Sequence, residues 1–126
     1  MIEVCCAIIV EDERILATRR SHGMHLAGFW EFPGGKTEPG ETAEACIIRE
    51  IREELDIEIK IEKQLSSVEH HYPEKSIRLI PFICKINSGT ITLTEHSEFR
   101  WLARHDVSSV NWAEADLKVL EDYFKT

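Results

Sequence analysis

Between Ile2 and Val10 the chain is apolar at every position except Glu3, and the apolar residues are either β-branched or small. An extended segment with apolar residues on both of its alternating sets is buried on both faces, so other elements must pack above and below its sheet. The polar turn Glu11–Glu13 and the segment Ile15–Arg20 complete a hairpin. Ser21–Phe29, with two histidines and two glycines, reads as a loop, and Gly34-Gly35 and Pro39-Gly40 bracket a second irregular stretch. Thr42–Leu55 has no glycine or proline and is rich in helix formers, which predicts a helix. Ile57, Ile59 and Ile61 alternate with Glu58, Lys60 and Glu62, the period of a half-buried strand. Ser66–His71 and Ile77–Asn87 read as strands on either side of a Tyr72–Ser76 turn, and Ser88-Gly89 turns into a strand over Thr90–Thr94. Ala113, Leu117, Leu120 and Phe124 recur at helical spacing and close the chain with a second helix. This order of elements is that of an α/β protein, a mixed sheet with helices packed on its faces. A length of 126 residues corresponds to one domain, residues 1–126.

Charge excludes some functions. With 15 basic against 23 acidic residues the net charge is −8, and no basic stripe is present. Such a chain repels a polyanion, so a nucleic-acid partner is not expected. A small phosphorylated ligand carried with a divalent metal remains compatible, because the metal reverses the local sign of the charge. No apolar run reaches the roughly 18–20 residues of a membrane span, and Met1–Ile9 has no basic leader. The expectation is a cytoplasmic protein with no membrane partner, monomeric or homodimeric. Cys5, Cys6, Cys46 and Cys84 have no zinc spacing and read as buried free thiols, with Cys5 and Cys6 on opposite faces of a strand. His70 and His71 likewise face opposite ways, which argues against a shared metal.

On the Thr42–Leu55 helix, Glu50, Glu53 and Glu54 fall at i, i+3 and i+4 and share one arc, while Ile47, Ile48, Ile51 and Leu55 fill the adjoining one. The glutamates therefore border the buried stripe instead of facing solvent opposite it. Arg49 stands four residues before Glu53, but neither Glu50 nor Glu54 has a cation at i±4. A solvated acidic face is one reading of this pattern. The other is a site for a hard cation, since Mg²⁺ and Mn²⁺ take carboxylates together with water and phosphate oxygens.

Taken together, Gly35, Glu41, Arg49, Glu50, Glu53 and Glu54 read Gly-x5-Glu-x7-Arg-Glu-Ile-Arg-Glu-Glu-Leu-Asp-Ile, from Gly35 to Ile57. This resembles the signature box of the Nudix hydrolases. The flanks, Thr18-Arg19-Arg20 and Trp30-Glu31-Phe32-Pro33-Gly34-Gly35-Lys36, are similar to those of the MutT-type members. One position departs: the family has glycine where this chain has Asp56, at a helix exit that often needs a left-handed backbone. Asp tolerates that conformation better than most residues.

The resemblance implies the Nudix α/β/α sandwich, with a mixed sheet between helices, and hydrolysis of a nucleoside diphosphate linked to a further group. It implies Mg²⁺, with Mn²⁺ as a possible substitute, held by Glu50, Glu53, Glu54 and the Gly34 carbonyl, with Glu50 as ligand or water-orienting base. Gly35, Glu41 and Arg49 would support the box, and Arg49 would tie loop to helix. A further carboxylate is expected from the loop before the last strand, and spacing from Trp101 selects Glu95, with Glu98 the rival. The substrate would meet Arg20, His25, Glu31, Phe32, Pro33 and Lys36. Base choice falls to the turn from Asn111 to Asp116, with Asp116 ahead of Asn111; the MutT-type asparagine aligns with Ala113. Trp112 either stacks on a base or packs on the sheet. Glu74 and Lys75 sit at a turn that flanks the pocket in relatives. The expected reaction converts a nucleoside triphosphate to the monophosphate and pyrophosphate, with an oxidised guanine nucleotide or a pyrimidine nucleotide as substrate. A nucleotide-sensing module without catalysis is the rival reading, opposed by the complete set of box glutamates.

Overall fold

The computed structural model describes all 126 residues. The doubly apolar N-terminal run is the central strand. β1 (Ile2–Glu11) pairs in parallel with β7 (Ser76–Gly89), in a register running from Ile2 opposite Ile77 to Ile9 opposite Cys84. Its side chains divide strictly by parity. Cys6 and Ile8 join a cluster with Leu79, Trp112, Val119 and Leu120, whereas Cys5, Ala7 and Ile9 join Ile47, Ile51, Leu55 and Phe82 on the other side. α1 (Ala43–Leu55) thus covers one face of the sheet and α2 (Glu114–Phe124) the other, giving an α/β/α sandwich. All four cysteines are free and buried. No helix is long and apolar enough to cross a membrane.

The hairpin partner β2 (Arg14–Arg19) stays paired with β1 only at Val10–Ile15 and Glu11–Arg14. It then pairs antiparallel with β3 (Trp30–Glu31) and with β8 (Glu98–Leu102). This divergence leaves the edge of β1 at Val4–Cys6 free to pair with β4 (Gly34–Lys36). The expected irregular stretch therefore begins as a strand. Glycine makes this possible, because a Cβ on Gly34 would lie 2.0 Å from the Cys5 carbonyl oxygen. On the far side of β7 lie β5 (Ile57–Gln64) and β6 (Val68–His71), so the expected Ser66 start shifts to Val68.

α1 begins at Thr42, whose hydroxyl accepts a 3.1 Å hydrogen bond from the Ala45 N–H. It ends at Asp56 in the left-handed region, φ 57°, with the Asp56 N–H bonded to the Arg52 carbonyl. Asp56 therefore does the work of the family glycine, at a cost on the order of 1 kcal/mol. Two local expectations fail. Ile48 is 37% exposed and stands outside the buried stripe. Thr90–Thr94 is not a strand. Instead the Thr92 N–H bonds the Leu55 carbonyl at 2.9 Å and the Thr94 N–H bonds the Glu54 carbonyl at 3.2 Å, while the Thr94 hydroxyl bonds the Glu53 carbonyl at 2.8 Å. The last carbonyls of a helix have no partner within it, and this threonine-rich segment supplies donors to them.

Candidate active site

Gly34–Lys36 and the Thr90–Ser97 segment both contact the second half of α1, from Arg49 to Leu55. Glu50 rests against the backbone of Gly35, so closely that a Cβ there would fall 2.3 Å from Glu50 Oε2. Glu54 is only 4% exposed, and its Oε1 accepts a 3.2 Å bond from the Gly34 N–H. Glu53, one step round the helix, is exposed. Glu95 is exposed too, and its carbonyl accepts a bond from the Ser21 hydroxyl. Burial pushes Glu54 up to about 10, and the negative charges of Glu31, Glu95 and Glu50 add to the shift.

Arg49 holds the other half of this acidic group. It grips Glu41 in a two-point contact, Nε to Oε2 at 2.7 Å and Nη2 to Oε1 at 2.9 Å. Its Nη1 donates to Glu50 at 2.9 Å and lies 3.3 Å from Glu53. Nη2 also donates to the Lys36 carbonyl at 3.3 Å, so one guanidinium joins the loop to the helix. The hydrogen bonds from Arg49 hold the Glu41 carboxyl down at about 2. A carboxyl depressed from 4.5 stabilises the fold above about pH 4.5, and that contribution is lost as pH falls toward 2. Arg49→Met should therefore lower Tm at pH 7, and the gap from wild type should close as pH falls through this window. Parallel Tm curves across it would show that the ion pair contributes nothing.

No set of three or more acidic, histidine or cysteine side chains is drawn close enough to cage an ion. The donor chemistry nonetheless fits a hard divalent cation. All the side-chain donors are carboxylate oxygens, and Glu54 has no cationic partner for the mutual repulsion that burial intensifies.

A cavity of about 210 Å³ is lined in part by Gly34, Gly35 and Lys36, whose backbone touches Glu54, Glu50 and Arg49. Phe32, Ala113 and Asp116 line it as well. Arg20 and Glu31 form its side, joined through Nη1 and Oε1 at 2.6 Å. Phe32 is buried and tilts against Trp112, with ring centroids 4.8 Å apart. Trp112 donates its Nε1–H to the Val107 carbonyl at 2.8 Å and is part of the packing, not a free stacking surface. Asp116 is 6% exposed, and its Oδ1 accepts a 2.9 Å bond from the Phe32 N–H. Burial, reinforced by Glu31, holds its carboxyl well above the ordinary range.

The structure thus brings together Arg20, His25, Glu31, Phe32, Lys36 and Asp116 around one cavity. Two expected substrate residues lie apart from it. Pro33 is fully buried, with its carbonyl accepting from the Ala7 N–H, and Asn111 is exposed, with its carbonyl accepting from the Trp30 N–H. Glu98 opens β8 and its carboxylate pairs with Arg19 at 3.1 Å and Arg100 at 3.4 Å, whereas the Glu95 charge acts on Glu54. Sequence reasoning missed Leu26 and Tyr72, which also line the cavity. Tyr72 meets His25 edge-on at 6.0 Å and His70 at 4.5 Å, and Lys75, which also lines the cavity, follows from the same turn. An aromatic at a strand exit was the available signal.

Comparison with known proteins places these features in context. The chain matches the NUDIX domain family over residues 4–122. It is 35% identical to the CTP pyrophosphohydrolase of Escherichia coli (strain K12) over 123 residues, 98% of this chain and 91% of that protein. It is 39% identical to the 8-oxo-dGTP diphosphatase of Proteus vulgaris over 73 residues, 58% of this chain and 65% of the relative. The crystal structure of a MutT NUDIX hydrolase from Burkholderia pseudomallei shares the fold with a TM-score of 0.85 at 30% identity, covering 96% of each chain.

Proposed function

The chain belongs to the NUDIX family of hydrolases, and on that footing we propose that it converts a nucleoside triphosphate and water to the nucleoside monophosphate and pyrophosphate. The observation that carries this reading is the cavity itself, lined both by Gly34–Lys36, whose backbone rests against Glu50 and Glu54, and by Phe32 and Asp116. A triphosphate reaches the first while its base reaches the second. The carboxylates repel phosphate unless a cation intervenes. Nudix hydrolases use divalent metal in general. Here the ion is Mg²⁺, with Mn²⁺ as a substitute, and Glu50, Glu53, Glu54, Glu95 and the Gly34 carbonyl would hold it. When bound, such an ion neutralises phosphate oxygens and acidifies water.

The chain's own residues do the rest. Lys36 and Arg20 draw the phosphates into the cavity. Arg20 is held in place by Glu31, so it meets the substrate in a fixed position. Arg49 fixes Glu50 and Glu53 and so limits the reorganisation needed at reaction. Phe32 and Asp116 receive the base. Two bases suit a single carboxyl there: cytosine through its exocyclic amine, and an oxidised guanine through its O6 and N7–H edge. The test is a kcat/KM panel of CTP, dCTP, 8-oxo-dGTP and the unmodified purine nucleotides with Mg²⁺ and with Mn²⁺. Release of pyrophosphate from at least one of them supports the reading, and the absence of turnover with all of them, or release of orthophosphate alone, would refute it.

The loop carboxylate has its own test. Glu95→Gln should lower kcat about tenfold and change its pH profile, whereas Glu98→Gln, removing an exposed ion pair, should leave kcat within twofold. The reverse ranking would transfer the role to Glu98.

A further inference from the structure

His96, next to Glu95, is buried to 1% side-chain exposure on a segment whose other polar residues face solvent. Its Nε2 lies 2.9 Å from Glu31 Oε2, and Glu31 Oε1 is bonded to Arg20 Nη1 at 2.6 Å. A carboxylate at that distance accepts a ring N–H, so Nε2 carries the proton. The other ring nitrogen, Nδ1, is the single buried side-chain nitrogen or oxygen in the protein with no hydrogen-bond partner. A phenylalanine would fill the same space without that cost, so packing alone does not account for an imidazole here. What the imidazole provides, and phenylalanine would not, is the bond to Glu31.

The bond fixes a short stretch of backbone. On one side of Glu95, the Thr94 hydroxyl bonds the Glu53 carbonyl at 2.8 Å and the Thr94 N–H bonds the Glu54 carbonyl at 3.2 Å. On the other side, His96 reaches across to Glu31 on β3, and the Ser97 N–H bonds the Arg19 carbonyl at 3.0 Å on β2. Glu95 is thus an exposed side chain on a segment tied at both ends, to the carboxylate helix before it and to the cavity wall after it. Segments with many exposed residues are normally drawn from the mobile part of a fold. These ties remove that freedom at the position of this segment whose carboxylate charge acts on Glu54.

We infer that His96 is a positioning residue, which, through its bond to Glu31 and together with the Thr94 tie to α1, holds the Glu95 carboxylate at the reaction site. This rests on the proposed role of Glu95. It adds that the placement of Glu95 depends on a hydrogen bond from the cavity wall, and that the Glu31 carboxylate serves the cavity with one oxygen and the loop with the other. Such placement is worth rate because a group held in its working position needs no ordering when the substrate reacts.

The test is a double-mutant cycle read in kcat and KM, with Tm followed for every variant. His96→Phe keeps the ring and deletes the bond; His96→Gln places an amide N–H near the Nε2 position and keeps it. His96→Phe should lower kcat about fivefold with KM changed less than twofold, and His96→Gln should recover most of that loss. Thr94→Val, a surface change that folds readily, should lower kcat about threefold. In a Glu95→Gln background all three should become nearly silent, because the group they place no longer acts. A role in packing gives the opposite order, with the phenylalanine variant active and the glutamine variant impaired, and would overturn the inference. So would losses of kcat that persist undiminished in the Glu95→Gln background, or a loss confined to KM. If His96→Phe does not fold, Thr94→Val and its double variant with Glu95→Gln decide by the same criterion. Should Glu95→Gln alone be silent, the reading of Glu95 fails and the inference falls with it. Should Glu95→Gln be impaired while the His96 and Thr94 variants are not, only the inference fails.

Discussion

Glu53→Gln is expected to reduce kcat at least about 10²-fold in Mg²⁺ while the protein unfolds at nearly the wild-type temperature. The size follows from what the change removes: one charged oxygen donor from the set that would hold the divalent cation, whose charge offsets that on the reacting phosphate, an effect comparable to deleting one electrostatic stabiliser of a transition state. The selectivity follows from where Glu53 sits. Its side chain is 57% exposed and its contact with Arg49 Nη1 is an i,i+4 pair at 3.3 Å, a type of pair that contributes little to stability. Arg49 also keeps Glu41 and Glu50 as partners. Glutamine has the shape of glutamate, so a folded, inactive variant separates chemistry from structure more cleanly here than at buried Glu54. Loss through the transition state lowers kcat and kcat/KM together, and a rise in KM alone would instead assign Glu53 to substrate binding. A folded Glu53→Gln protein with near-normal turnover would remove Glu53 from the site.

The acidic helix and the central strand were legible from sequence because each is a periodic pattern on one element. Parity along Ile2–Val10 sorts Cys5 and Cys6 onto opposite faces, and the structure does the same. The position of Glu54 at the margin of the apolar stripe was legible as well, and its burial follows from it. What failed depends on contacts distant in sequence. Thr90–Thr94 has strand-like composition, yet the free carbonyls at the end of α1 claim its donors. Gly34–Lys36 pairs as a strand because β2 leaves the edge of β1. Pro33 and Asn111 sit close in sequence to residues that line the cavity, but the backbone turns them away from it. Tyr72 and His96 meet their partners His25 and Glu31 across loops, and no local spacing marks them.

Asp116→Asn is expected to change the ratio of kcat/KM between an oxidised guanine nucleotide and a cytosine nucleotide by at least about tenfold, about 1.4 kcal/mol, in favour of the guanine. Oδ1 of Asp116 is already engaged by the Phe32 N–H, so only Oδ2 is free to meet a base. In asparagine the amide oxygen takes the Phe32 N–H, and the NH₂ turns to the cavity. That group donates and cannot accept. It bonds the O6 of an oxidised guanine, which gives up only its N7–H partner, whereas cytosine loses its one bond and has its exocyclic amine facing a donor, and an unpaired polar group in such a place costs roughly 1–3 kcal/mol, about 5- to 150-fold. The same substitution has a second, independent signature in stability. Burial and Glu31 hold the Asp116 carboxyl above its ordinary 3.8, so the folded protein keeps a proton that the unfolded chain releases. Stability from this group therefore falls as pH rises above about 4. Asparagine has no proton to lose, so the metal-free variant should lose less stability than wild type between about pH 5 and pH 8, and its Tm at the upper end should be the higher of the two. A flatter Tm profile with an unchanged substrate ratio would confirm the burial of Asp116 and move base reading to Phe32 and Tyr72. A shift in both would make this single carboxyl a residue the fold would be more stable without, kept where it is because it meets the base.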